Sequence, residues 1–143
     1  MPNWHPLVVH FPVALMAMSA LCEVLALALR KEELSRVGWW TQLAGTLGVA
    51  GAVTSGLIAE RSLVFAPGAH ELFETHEQLA FFFSALFGAL LLWRIASRSK
   101  IPQGHRTVYV ILLAAGVAVM FVGAWYGGEM VFRFGVGVRS APL

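Results

Sequence analysis

Residues 6–29 read PLVVHFPVALMAMSALCEVLALAL and stop against Arg30-Lys31-Glu32-Glu33. A helix rises about 1.5 Å per residue, so a run of this length covers the roughly 30 Å hydrocarbon core of a bilayer. His10 and Glu23 interrupt an otherwise apolar stretch, too uniform for the one-sided pattern of a soluble helix. Pro6 suits a first helical turn, where its missing N–H costs nothing. Pro12 lies deeper and predicts a kink. A secretory signal carries its basic residues ahead of the apolar core. Here Met1 to Pro6 has none, and Arg30 and Lys31 come afterwards, so the stretch reads as a retained membrane helix.

Working outward, three more apolar runs follow the same plan. Spans are expected at about 6–29, 40–59, 71–93 and 107–127. The interfacial pair Trp39 and Trp40 opens the second. Phe65-Ala66-Pro67-Gly68 is a turn, and Glu71, Glu74 and Glu77 suit the start of the third helix. Ile101-Pro102-Gln103-Gly104 breaks the chain again, and the glycine-rich tail from Phe132 to Leu143 reads as irregular. No internal repeat is apparent. With 58% hydrophobic and 13% charged residues, lipid has to serve as solvent for the excess apolar surface. The expected fold is all-α: one integral membrane domain over 1–143, a four-helix transmembrane bundle running up-down-up-down.

Basic residues set the expected direction. Arg30, Lys31 and Arg36 follow helix one, and Arg94, Arg98, Lys100 and Arg106 follow helix three. Arg61, Arg133 and Arg139 are on the other side. Seven against three places both connecting loops in the cytoplasm and both termini outside, in the inner membrane of a bacterium. A formal charge of +2 gives no footprint for nucleic acid, so the expected partners are the bilayer and other membrane subunits, or further copies of the chain. The single cysteine, Cys22, excludes an internal disulfide and a multi-cysteine metal motif. There is no nucleophile elbow, no phosphate loop and no dinucleotide fingerprint, so an enzyme acting alone is not expected.

The chemistry gathers on the outer side. Four of the five histidines belong there: His5 and His10 at the start of helix one, His70 and His76 at the start of helix three. Glu60 ends helix two and Glu129 follows helix four. Headgroup-level histidines and glutamates are often only solvated side chains, and this bland reading fits His5, His70, Glu71 and Glu74. His10 and His76 lie deeper, in parallel helices. Gly48, Ala52 and Gly56 on helix two, and Gly116, Met120, Gly123 and Gly127 on helix four, form small-residue stripes. Such stripes normally mean close helix packing, and they equally leave room for a flat macrocycle. Glu23 is the one acidic residue well inside a span. With no basic partner expected at that depth, it reads as protonated or bonded to Ser19 or a neighbouring helix.

Two terminal motifs resemble a known family. His5-Pro6-Leu7-Val8-Val9-His10-Phe11-Pro12 is similar to the "HPLLVHFP" opening of domain-of-unknown-function family 2231, small prokaryotic membrane proteins. Residues 127–138, GGEMVFRFGVGV, resemble its closing "GGELVYRHGVGV", and His76 entering the third helix is in keeping. Phe134 departs from that pattern, standing where the family has histidine. The domain is sometimes joined to Rieske-type or cytochrome-type modules, which implies respiratory electron transfer by association.

The function expected from these residues is a membrane electron-transfer subunit. His10 and His76 would be axial ligands of a b-type haem near the periplasmic face, with His5 able to replace either. Arg61 and Arg133 would pair with the propionates, and Trp125 and Tyr126 would line the pocket. His5 and His10 are about 140° apart on a helix, so both cannot face one iron. The expected electron partner is a periplasmic cytochrome or a larger membrane complex. Two alternatives stand beside it. One is a single zinc, copper or iron ion held by His5, His10, His76, Glu60 and Glu129. The other is a non-catalytic subunit whose glycine stripes pack against partners.

Overall fold

The computed structural model describes residues 4–61, 63, 66 and 68–138. Four helices account for nearly all of them: α1 (His5–Leu29), α2 (Glu32–Glu60), α3 (Ala69–Ala96) and α4 (Gln103–Phe134). Each is long and apolar enough to cross a membrane. The helices outrun the expected spans. α2 starts at Glu32, with Glu32 and Glu33 in its first turn, where carboxylates favour the helix dipole. α4 runs through Phe132 and Phe134, residues expected to be irregular, and stops only at Gly135, whose φ of 65° a side chain would resist. The rest of that tail, 139–143, lies outside the described residues, as do Phe65 and Pro67 of the expected turn. α1 ends where Arg30 turns left-handed (φ 54°) and returns its N–H to Ala26.

The helices form a square. α1 packs most extensively on α2, and α3 on α4, with α1–α4 and α2–α3 closing the ring. The pairs α1/α3 and α2/α4 are therefore diagonals, so the two helices that carry His5, His10, His70 and His76 are opposite rather than adjacent. The inward row of α1 is Pro12, Met16, Ser19, Ala20, Glu23 and Ala26. Ala14 lies off this row and is exposed. Met16 and Val49 meet Phe87, Leu90, Leu113, Val117 and Met120 in a central apolar core. Glycines let the helices approach. A Cβ on Gly45 would come within 2.7 Å of the Met16 sulfur, and one on Gly116 within 2.7 Å of the Phe87 ring.

Those two contacts are numerically related. Residue 16 plus 71 is 87, and 45 plus 71 is 116. The same offset maps the buried positions of α2 (38, 42, 45 and 49) onto buried positions of α4 (109, 113, 116 and 120). It also maps 16, 19, 20 and 23 of α1 onto 87, 90, 91 and 94 of α3. At these positions α1–α2 and α3–α4 bury one pattern, as two hairpins built alike. Within the helices nine paired positions are identical: His5/His76, Phe11/Phe82, Ala14/Ala85, Leu15/Leu86, Leu21/Leu92, Val37/Val108, Ala44/Ala115, Gly45/Gly116 and Gly56/Gly127. Most of these are residues that any apolar helix shares, so the likeness of the hairpins shows in burial rather than in letters.

Candidate functional site: a two-histidine cavity

At the end of the bundle that carries the termini, the helices separate around an apolar cavity of about 530 Å³. That volume lies within the usual range for ligand sites of roughly 300–1,000 Å³. All four helices contribute walls, and Val136 and Val138 of the C-terminal segment close over it. The polar groups reaching it are few: His5, His10, His76, Glu60 and Glu77.

His5 and His76 face each other across it. Their ring centres are 6.5 Å apart and their planes are nearly perpendicular, at 85°. The pairing expected from sequence was His10 with His76. His10 is instead exposed at the cavity rim. The helix begins at His5 itself, so His5 is already in the first turn and on the inward face. His10, five residues on, is rotated away by the 140° that keeps the two from sharing one centre.

Both imidazoles are anchored by the same nitrogen. The Nδ1–H of His76 donates to the Gly123 carbonyl, 2.8 Å away. The Nδ1 of His5 is 3.0 Å from Ser55 Oγ. Ser55 spends its own proton on the Ala52 carbonyl, so His5 is the donor of that pair. His5 also hydrogen-bonds the backbone of Ala52, the position equivalent to Gly123 (123 − 71 = 52). With Nδ1 protonated on each ring, Nε2 is the nitrogen that keeps a lone pair. A donor bond from the far nitrogen to a carbonyl or hydroxyl is the usual support of a metal-binding histidine. Glycines make space for each ring: a Cβ on Gly56 would lie 3.1 Å from His5 Cε1, and one on Gly127 would lie 3.2 Å from His76 Cε1.

The remaining expected residues are elsewhere. Trp125 is exposed and stacks edge-on against Tyr126, and neither lines the cavity. Arg61 caps the end of α2, while Arg133 lies over the Phe134 ring; both belong to the same end of the bundle but outside the cavity wall. Glu60 lines the cavity and Glu129 does not. Among the described residues, no three His, Cys, Asp or Glu side chains converge as a metal-holding group.

A second polar centre was missed. Arg94, read from sequence as a loop charge, is inside the last turn of α3 and only 2% exposed. Its Nη1 lies 2.5 Å from Glu23 Oε1, so Glu23 has the basic partner it was expected to lack. Arg94 also donates to the Ser35 carbonyl at 2.7 Å and to Ser35 Oγ at 3.1 Å. Ser35 in turn donates to Glu23. Tyr109 donates to Gln42 Oε1, and the Arg94 guanidinium lies over the Trp39 and Tyr109 rings. The signal available in sequence was the inward helical spacing of Ser19 and Glu23 on one side and of Gln42 on the next helix.

The chain is thus a membrane protein of four candidate spans, with a histidine cavity at one end and a buried ion pair at the other. It belongs to the family described as "Predicted membrane protein (DUF2231)", whose family model matches residues 2–140. No curated protein and no solved structure matches it.

Proposed function

We propose that the chain is a membrane electron-transfer subunit whose cavity holds a b-type haem, with His5 and His76 as its axial ligands. The observation that carries this reading is the pair of imidazoles 6.5 Å apart across an apolar cavity, each anchored through Nδ1. With metal–imidazole bonds of about 2 Å and about 1 Å from nitrogen to ring centre, a bis-imidazole iron puts the rings roughly 6 Å apart. A haem brings four ligands of its own and needs only two from protein, which suits a site without a third converging side chain. Arg61 and Arg133 are basic groups at that end that could meet propionates. The haem supplies one-electron chemistry, while the protein holds the ligands, sets their tautomer and keeps water away.

The charge pattern supports an outward-facing cavity. Without Arg94, six basic residues remain near the two hairpin loops: Arg30, Lys31, Arg36, Arg98, Lys100 and Arg106. In a bacterial inner membrane that end is cytoplasmic. The haem then faces the periplasm, where a soluble cytochrome or a neighbouring membrane subunit exchanges its electron.

Met120 and Met130 favour a second reading, because both line the same cavity. Thioether and imidazole together suit copper(I). The deciding experiment is an absorption spectrum of the detergent-purified protein, oxidised and then reduced, beside His5→Ala and His76→Ala. A Soret band that sharpens on reduction and is altered in both variants supports haem. A featureless spectrum from cells supplied with haem removes that reading. Elemental analysis of the same sample then separates a copper site from a purely structural subunit.

A further inference from the structure

His5 and His76 are equivalent positions of the two hairpins, and so are Glu23 and Arg94 (76 − 5 = 71; 94 − 23 = 71). Each diagonal helix therefore carries one contact to the other at each end, with the same spacing of 18 residues between them (23 − 5 = 18; 94 − 76 = 18). That spacing is about 27 Å of helix. Between the two contacts lies an apolar core of Met16, Phe87, Leu113 and Met120. Apolar side chains in lipid give close packing and little preference among neighbouring registers. Two helices that touch across a diagonal, without packing backbone to backbone, have still less to hold their relative depth.

We propose that the Glu23–Arg94 pair is a register lock, which holds α1 level with α3 so that His5 and His76 meet at the far end. Fixing register is the best-attested use of buried polar partners in helical bundles. The pair fits that use. Both side chains are 2% exposed, and Gly38 leaves room for the glutamate, since a Cβ there would lie 2.7 Å from its Oε1. Ser35 ties both ends of the pair to α2. The contact is thus specific in depth: a slip of one turn, about 5.4 Å, strands both charges in an apolar wall. Glu23 and Arg94 are positioning residues, acting on the imidazoles through the length of two helices. This role rests on His5 meeting His76 and not on which ligand they hold.

The test is cross-linking within the full chain in detergent, in a Cys22→Ala background. Paired cysteines are placed at 5 and 76, or one turn off register at 5 and 72 or 5 and 80, and joined with a short bifunctional thiol reagent. With Glu23 and Arg94 present, the 5–76 pair dominates. In Glu23→Leu/Arg94→Leu, its yield falls by about threefold or more and an off-register pair gains, while Arg94→Lys keeps the parent pattern. Loss of stability alone lowers every yield and shifts none. Glu23→Gln/Arg94→Gln, which keeps hydrogen-bonding groups, replaces the leucine pair if that pair does not fold. An unchanged pattern in the folded variant overturns the proposal. Because no cofactor enters the assay, a failed haem spectrum and a failed lock are separate outcomes.

Discussion

Removing Arg94 alone should be far more damaging than removing Arg94 and Glu23 together. In Arg94→Leu the Glu23 carboxylate keeps the one Ser35 hydroxyl that its two oxygens share and loses the Arg94 counter-charge, at a position 2% exposed. Breaking a buried pair from one side costs about 3–5 kcal/mol, because the remaining charge is uncompensated. Against a total stability of roughly 5–15 kcal/mol, that is enough to empty much of the folded population. The double variant Glu23→Leu/Arg94→Leu removes both desolvation penalties and lets two apolar side chains fill the space. Replacements of this kind are often neutral or stabilising by about 1–4 kcal/mol. The orphaned partners temper that gain, since Tyr109, Gln42 and the Ser35 carbonyl lose a donor or a neighbour, at about 1 kcal/mol each. The expected cycle is two severely destabilised single variants and a double variant within about 2 kcal/mol of the parent. Equilibrium unfolding in mixed detergent, followed by tryptophan fluorescence, measures all four proteins. Costs that add, so that the double variant is worse than either single, would refute the reasoning that the two charges chiefly serve each other.

Further outcomes follow from the cavity and its walls. His10→Ala should leave haemin binding within about twofold of the parent, while His5→Ala and His76→Ala each weaken it by tenfold or so, read from Soret titrations of the apoprotein. Gly127→Val should displace the His76 ring, since a Cβ alone would already lie 3.2 Å from its Cε1, and Gly56→Val should do the same to His5. Both glycine variants should lose haemin affinity more than thermal stability, and equal losses in the two measurements would count against a binding role. Tyr109→Phe leaves Gln42 Oε1 without its hydroxyl donor and should lower unfolding stability by about 1–2 kcal/mol, with haemin binding unchanged.

The four helices and their up-down order were legible because hydropathy over 20-residue windows is a strong signal that needs no tertiary knowledge. Their ends were less so. α2 begins eight residues before Trp40, at Glu32, since charged first turns belong to a helix as readily as to a loop. The histidine end was legible as a region and misassigned in detail. His10 attracted attention by its depth in the run, but rotation about the helix axis, which depth does not report, turns His5 inward. Arg94 shows the converse limit. A basic residue at the end of an apolar run reads as an interfacial anchor, and only packing against α1 and α2 reveals that its guanidinium points back into the bundle. The likeness of the two hairpins was hidden for a related reason: what corresponds is which positions face inward, and apolar letters interchange freely there.

The layering of the bundle has an electrical consequence. Ion pair and histidines are separated by an apolar slab of Met16, Val49, Phe87, Leu113, Val117 and Met120, where the Thr46 hydroxyl donates to the Met16 sulfur. Apolar packing of this kind bars the passage of protons and ions far more than that of electrons. Any proton that balances a change of charge in the cavity therefore comes from the cavity's own end of the bundle.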